Sequence, residues 1–243
     1  MRRIVLISYP RSGSHFIRYC VEYFTKLPTY GNEGPLIIPK RQKLWILYRR
    51  HFWDVLSSGE KRLMSKRPEM IFLFRDYHEC LLSQMKRSKR GSHIIKHIRR
   101  RPQQTNMFKV LENWKDLRHT DIQTKFTPSS LIYNLRKFHA YKGKKMVLYY
   151  EDLMEGLSMP LANLFRFIDV DLHENLSEFI DNEAEHRARS YGRYDKLQGS
   201  LSSGRPLDYH SSILNTRHKR QMDQYFMKKL GPLYKKYLSR YRV

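Results

Sequence analysis

The sequence predicts an α/β fold of three layers, in which helices flank a central, mostly parallel sheet. Short apolar runs over residues 4–7, 43–48, 70–74 and 145–149 alternate with stretches of helical periodicity. This order is typical of parallel sheets with helical crossovers. The length of 243 residues suits a single domain over 1–243. Because ligands of such sheets bind beyond the carboxyl ends of the strands, the residues that follow each strand are the candidates for function.

The first strand, residues 4–7, is an apolar run rich in β-branched residues, as buried parallel strands usually are. It ends before Pro10, which cannot continue a central strand. The short loop Arg11-Ser12-Gly13-Ser14 follows, and helical spacing starts at Phe16. A helix start leaves N–H groups unpaired and carries the positive end of the helix dipole, so this unit predicts a phosphate-binding loop. An ordinary strand-to-helix turn is the alternative that these residues leave open.

The later elements follow from the same patterns. Asp76 is the expected N-cap of a helix, and Gly231-Pro232 is expected to divide the last helix. The polar stretch 187–212 contains several glycines and predicts a long functional loop or a mobile lid. Helices are predicted over residues 77–89, 106–117, 129–141, 159–168 and 216–241.

The two cysteines, Cys20 and Cys80, lie within apolar helical patterns. They are predicted to be buried thiols rather than a disulfide or a metal site. No apolar window is long enough to span a membrane, and the short run at residues 4–7 does not resemble a signal peptide. A reducing, cytoplasmic location is therefore expected.

The formal net charge is +24, from 47 Lys and Arg against 23 Asp and Glu. A charge of this size predicts an anionic partner, such as a nucleic acid, an anionic glycan, an anionic lipid surface or a multiply charged nucleotide. Basic clusters at 61–67, 86–101 and 217–242 are interleaved with apolar residues at helical spacing, which favours solvated helix faces. A basic surface without a specific partner is the alternative.

The segment Tyr9-Pro10-Arg11-Ser12-Gly13-Ser14 resembles the 5′-phosphosulfate loop of sulfotransferases that use 3′-phosphoadenosine 5′-phosphosulfate (PAPS). The nucleotide triphosphatase pattern G-x-x-x-x-G-K-[ST] is absent. The resemblance implies a P-loop NTPase-like sulfotransferase fold, with Phe16 at the position of the aromatic residue that stacks on adenine. It assigns PAPS binding to Arg11, Ser12, Gly13, Ser14, His15 and Phe16.

Two further motifs are similar to nucleotide-binding motifs of this family. After the strand 70–74 comes Arg75, with Ser83 eight positions later on the predicted helix. In the family this pair holds the 3′-phosphate, and the spacing lets both side chains face one phosphate. A salt bridge from Arg75 to Asp76 or Glu79 is the alternative. The sequence Tyr150-Glu151-Asp152-Leu153 resembles the strand end whose tyrosine contacts adenine, which implies that role for Tyr150.

The remaining motifs share fewer residues with those of the family. Tyr48-Arg49-Arg50-His51 aligns His51 with the family's general base and Arg49 with a lysine position; a surface histidine beside two arginines is the alternative. Near the C-terminus Gly204 survives from the last family motif, whereas its Arg-Lys pair does not, and Arg205 is the candidate substitute.

The resemblance implies an enzyme that moves a sulfuryl group from PAPS to an acceptor hydroxyl or amine and releases adenosine 3′,5′-bisphosphate (PAP). Arg11 would neutralise charge on the leaving phosphate, and His51 would deprotonate the acceptor. No metal and no obligate nucleic acid are expected. The acceptor is a glycan, anionic by the charge argument, or a small molecule. A P-loop-type kinase of a small substrate and a basic nucleic-acid-binding protein without catalysis are the competing hypotheses.

Overall fold

In a computed structural model of the protein, the residues described are 4–9, 12–31, 35–36, 46–50, 67–86, 89–114, 127–170, 176–187, 189–190 and 213–243. The strands among them are β1 (Ile4–Ser8), β2 (Thr29–Tyr30), β3 (Leu47–Arg50), β4 (Glu69–Phe74) and β5 (Lys145–Tyr149). The helices are α1 (Ser14–Thr25), α2 (Tyr77–Met85), α3 (Lys89–Arg100), α4 (Met107–Glu112), α5 (Pro128–Ala140), α6 (Tyr150–Glu155), α7 (Ser158–Ile168), α8 (Leu176–Asp181), α9 (Thr216–Leu230) and α10 (Pro232–Tyr237). A 3-10 turn over Ser239–Tyr241 follows α10.

The five strands form one sheet in the order β2-β3-β1-β4-β5, and every strand pair in it is parallel. The predicted fold class, a central parallel sheet flanked by helices, is confirmed. The register pairs Leu6 of β1 with Arg49 of β3, and Phe74 of β4 with Tyr149 of β5. The carboxyl ends of β1, β3, β4 and β5 therefore meet at one edge of the sheet.

Most predicted elements occur where the sequence placed them, and the differences have local causes. The second long strand is Leu47–Arg50 rather than 43–48, of which 43–45 lie outside the described residues. The predicted helix 77–89 ends at Met85, and a separate helix begins at Lys89. Of the predicted loop 187–212, residues 187, 189 and 190 are helical, and residues 188 and 191–212 lie outside the described residues.

The chain divides into two units, and the prediction of a single domain stays a prediction. The first unit is Met1–Ser8, Ser12–Phe74 and Tyr141–Arg205. Its apolar core joins alternate residues of β1 and β4 to α1, α6 and α7. Cys20 lies in this core, and burial raises the pKa of its thiol. Both Cys20 and Cys80 are buried and free, as predicted.

A buried carboxylate fixes the chain after α1 in this unit. Glu22 accepts hydrogen bonds from the backbone N–H and hydroxyl of Thr29 at 3.1 and 2.5 Å, and from the N–H of Leu36 at 2.9 Å. Arg18, one helical turn earlier and fully buried, donates to the Thr29 hydroxyl at 2.9 Å. A charged group is tolerated inside a protein only when bonds of this kind replace water. They hold β2 beside the end of α1.

The second unit is Tyr9–Arg11, Arg75–Ala140 and Pro206–Val243. Asp76 caps α2, as predicted, by accepting from the N–H of His78 at 2.8 Å. The imidazole of His78, fully buried, lies between two carboxylates, 2.7 Å from Asp76 and 2.9 Å from Asp223. Tyr77 donates a second hydrogen bond to Asp223. The start of α2 is thereby tied to α9.

Burial alone would lower the pKa of His78, but the hydrogen bonds to Asp223 and Asp76 outweigh it and raise the pKa to about 9. His78 is therefore an imidazolium near neutral pH, with both ring nitrogens donating. Burial would likewise raise the pKa of Asp223, but the hydrogen bonds from His78 and Tyr77 bring it below its ordinary value. Each group thus keeps the other charged.

No helix within the described ranges is long and apolar enough to cross a membrane.

We expect the stability that His78 contributes to depend on pH. Because its pKa in the folded protein is about 9, against an ordinary value of 6.5, the contribution is complete below pH 6.5 and is lost as the pH rises through 9. The parent should lose its advantage over His78→Gln by about 3 kcal/mol between roughly pH 6 and pH 10. Urea unfolding at several pH values measures this difference.

His218→Gln is the matched control, since burial lowers the pKa of that histidine in the folded protein. Its effect on the free energy of unfolding should stay constant from about pH 7.5 to pH 10. If the difference in free energy of unfolding between the parent and His78→Gln is also independent of pH, the result would contradict a buried imidazolium at position 78.

Candidate functional site

The loop between β1 and α1 has the geometry of an anion-binding helix start. Gly13 is the N-cap of α1 and adopts a left-handed conformation, with φ 85° and ψ 15°. Its carbonyl accepts the first helical bond from the N–H of Phe16 at 3.0 Å. A glycine offers no side-chain oxygen to cap the first turn, and that turn carries no acidic residue. The helix dipole there is thus available to an external anion.

Gly13 is covered by the ring of Tyr150, the first residue of α6. A Cβ atom built on Gly13 would lie 2.2 Å from Cδ2 and 2.3 Å from Cε2 of that ring. Tyr150 is buried and leaves the carboxyl end of β5. The predicted adenine-contacting tyrosine and the predicted phosphate loop are therefore in direct contact.

A buried cation lies against the same loop. Nη1 of Arg49, on β3, donates to Oγ of Ser14 at 3.3 Å, and only 4 % of Arg49 is exposed. The pairing of β3 with β1 explains this position, because it brings the carboxyl end of β3 beside the strand from which the loop departs. Ser12 and Ser14 are themselves buried, and His15 is half-buried.

Phe16 is a core residue in this structure. It is fully buried in the apolar cluster of the first unit. The guanidinium carbon of Arg187 lies 4.2 Å from the centroid of the Phe16 ring. A base that stacks directly on this ring would have to displace Arg187, so the stacking role that the resemblance implies for Phe16 stays a prediction.

The predicted 3′-phosphate residues belong to the second unit. Arg75 directly follows β4 and is half-buried, and Ser83 is half-buried on α2, roughly two helical turns on. The charged network of Asp76, His78 and Asp223 fixes the start of α2, which carries Ser83 and begins two residues after Arg75. Four other predicted site residues, Arg11, His51, Gly204 and Arg205, lie outside the described residues.

The structure adds two residues that the predicted site did not include, Arg49 and Arg187. The signal for Arg49 was available, because it immediately precedes Arg50-His51 at a predicted strand end. Arg187 had no such signal. It reaches Phe16 only through the tertiary fold, from a stretch that the sequence marked as a loop. Among the described residues, no group of three or more His, Cys, Asp or Glu side chains has the arrangement of a metal site.

We expect Gly13→Ala to destabilise the protein and to weaken anion binding. An L-residue at this φ costs about 1–2 kcal/mol, and the new methyl group would overlap the Tyr150 ring. Gly156→Ala is the matched control, because Gly156 has φ 178° and no atom within 4 Å of its would-be Cβ. Thermal unfolding should show a clear loss for Gly13→Ala alone. Equal melting temperatures for the two variants would contradict the close contact.

Comparison with known proteins is consistent with this geometry. Mouse sulfotransferase SULT7A1, crystallised with PAP, shares 16% identity over 95% of this chain and 84% of that chain, at a TM-score of 0.47. Retinol dehydratase, in complex with androsterone and inactive cofactor PAP, shares 15% identity over 95% of this chain and 82% of that chain, at a TM-score of 0.58. The second likeness supports the fold alone. No curated protein sequence matches the chain.

The sequence itself matches the family described as Sulfotransferase domain over residues 1–232. This match covers nearly the whole chain of 243 residues. The chain therefore belongs to the sulfotransferase domain family, which confirms the family predicted from its strand-end motifs.

Proposed function

We propose that the protein transfers a sulfuryl group from PAPS to an acceptor hydroxyl or amine, with the 5′-phosphosulfate held at the start of α1. The observation that carries the proposal is the left-handed Gly13 under Tyr150, at a helix start without a side-chain cap. Family membership gives the reaction class. The retinol dehydratase structure, which is similar in fold and contains inactive cofactor PAP, supports the choice of donor.

The residues around Gly13 suit a phosphosulfate. Backbone N–H groups at the helix start and the hydroxyls of Ser12 and Ser14 are donors for its oxygens. Arg49, bonded to Ser14, places a buried positive charge beside them. Arg11 adds a guanidinium from the loop itself. Fixed donors and charges in a site that excludes water stabilise negative charge as it builds on the leaving phosphate.

The adenosine part would be bound by the remaining predicted residues. Tyr150 and Phe16 are assigned to the adenine, and Arg75 and Ser83 to the 3′-phosphate. Gly204 and Arg205 are the proposed contribution of the C-terminal motif. The contact of Tyr150 with Gly13 supports this division, because Tyr150, which we assign to the adenine, lies next to the phosphate loop.

PAPS supplies the activated sulfuryl group. In the proposed step, the acceptor oxygen or nitrogen forms a bond to sulfur while the bond from sulfur to the 5′-phosphate oxygen breaks, and PAP leaves with the bonding electron pair. His51 takes the acceptor proton.

We also infer an anionic acceptor, with a glycan as the favoured class. Helix α3 buries Ile95 and Ile98 and exposes Lys96, Arg99 and Arg100. Arg101 extends this exposed basic face past the helix end. A field of one sign over an extended surface attracts and orients a polyanion. A small neutral acceptor would not use it.

The donor is tested first, by nucleotide binding. We expect PAP to bind about 10- to 100-fold more tightly than AMP, because only PAP carries the 3′-phosphate that charge-assisted hydrogen bonds would hold. Isothermal titration gives the affinities, and thermal shifts should follow the same order. ATP and short oligonucleotides belong in the same series as probes of the kinase and nucleic-acid alternatives.

Arg75→Ala should abolish the preference for PAP over AMP, whereas Arg136→Ala, an exposed arginine of the same unit, should preserve it. Equal binding of PAP and AMP by the parent would overturn the assignment of Arg75 and Ser83. Tightest binding of ATP or an oligonucleotide would overturn the donor itself.

The proposed base is tested by kinetics. His51→Ala should lower kcat by roughly 100-fold or more while it leaves the affinity for PAP nearly unchanged, since a general base acts only in the transfer step. Single-turnover rates with a saturating acceptor measure the effect. Turnover within a few-fold of the parent would mean that the base lies elsewhere.

The acceptor class is tested by salt. KM for a sulfated or carboxylated oligosaccharide should rise several-fold between about 50 and 250 mM salt, because screening weakens contacts between exposed charges. Replacing Lys96, Arg99 and Arg100 by Glu should raise KM further, and the same change at exposed Lys235 and Lys236 is the control. A flat KM, with a neutral phenol as the best substrate, would contradict an anionic acceptor.

A further inference from the structure

Arg187 is a half-buried cation, and one nitrogen of its guanidinium is not engaged by the described residues. It ends the helical segment 183–187, and only 13% of its side chain is exposed. Its Nε atom is bonded to Glu183, and its Nη2 atom donates to the carbonyl of Leu153 at 2.7 Å. The remaining nitrogen, Nη1, is buried and has no hydrogen-bond partner among the residues that the structure describes. A buried donor without an acceptor is unfavourable, and native proteins rarely keep one without a reason.

The position of this donor relates it to the candidate site. The guanidinium covers the ring of Phe16, one helical turn after Gly13 on α1. It also bonds to α6 at Leu153, one turn after Tyr150. Arg187 thus bridges the two helices whose first residues meet at the phosphate loop, all within the first unit. If a nucleotide is anchored by its 5′ group at Gly13, we expect its sugar and base to lie close to Arg187.

The pairing of Arg187 indicates which part of a nucleotide it suits. The carboxylate of Glu183 already balances its charge, and two of its three nitrogens are already bonded. The Nη1 nitrogen, with its two N–H groups, remains, in a guanidinium plane that packs on an aromatic ring. A phosphate is bound best by a guanidinium whose charge is not already neutralised by a carboxylate and which can donate two parallel hydrogen bonds. A purine ring nitrogen is a single neutral acceptor in a flat ring, and guanidinium planes stack on such rings.

We propose that Arg187 is an adenine-binding residue: it lies on Phe16 and donates from Nη1 to a ring nitrogen of the base. The adenine then packs against the Phe16–Arg187 pair rather than on Phe16 itself. This role rests on the proposed use of PAPS. The full burial of Phe16 agrees with this arrangement, because the base then needs no exposed face of that ring.

Two probes separate the base from the phosphates: PAP, and the same ribose bisphosphate with hydrogen in place of adenine. The parent should bind PAP at least about tenfold more tightly than the abasic probe. Arg187→Met keeps an apolar stem over Phe16 but removes the donor. It should lose about tenfold in affinity for PAP and little for the abasic probe. Arg189→Met is the matched control, since Arg189 is exposed and also pairs with a glutamate four residues earlier.

An equal loss with both probes, or no loss, would overturn the base contact. A parent that binds neither probe would instead overturn the proposed function, and the two failures are therefore distinguishable. A second measurement needs no variant. Among 1-deaza, 3-deaza and 7-deaza analogues of PAP, one should bind the parent about tenfold more weakly than PAP itself, because it lacks the accepting nitrogen. Full affinity for all three would overturn the proposal even if Arg187→Met failed to fold.

Discussion

The contact between Gly13 and Tyr150 is the constraint on which the site depends. It joins the loop after β1 to the first residue after β5, strands that are separated in the sheet by β4. The left-handed turn at Gly13 directs the chain from the strand into α1 and leaves the helix start open to an anion. A side chain at this position would disturb both the turn and the ring that covers it. The loop and Tyr150 are thus parts of one packed arrangement.

Buried charges hold the surrounding framework. Glu22 and Arg18 fix the segment after α1, and the imidazolium of His78 with its two carboxylates fixes the start of α2. Such groups add little net stability compared with apolar residues of the same size, but they are strongly unfavourable when a partner is lost. Their effect is to specify one geometry at the end of α1 and at the start of α2.

The sequence predicted the local parts of this arrangement well. Buried parallel strands appear as continuous apolar runs, and proline and glycine mark the turn into α1, so β1, β4, β5 and the loop could be recognised. Helix α6 escaped recognition because it follows β5 without a turn residue between them. The contacts of Arg49 and Arg187 could not be predicted, since they depend on strand register and on tertiary packing rather than on neighbours in the sequence.

The large positive charge divides into two populations with different physical roles. Arg18 and Arg49 are buried, Arg187 is half-buried, and all three are held by specific hydrogen bonds in the unit that contains Gly13. The cations on α3 are exposed and face solvent, where screening limits each of them to a weak contribution. Arg18 is used within the fold, whereas Arg49 and Arg187 suit a single nucleotide, since it needs a few fixed donors in a dry site. Only a ligand with many charges gains from the second, because many weak contacts then act together. This contrast is the physical basis on which we propose an anionic acceptor.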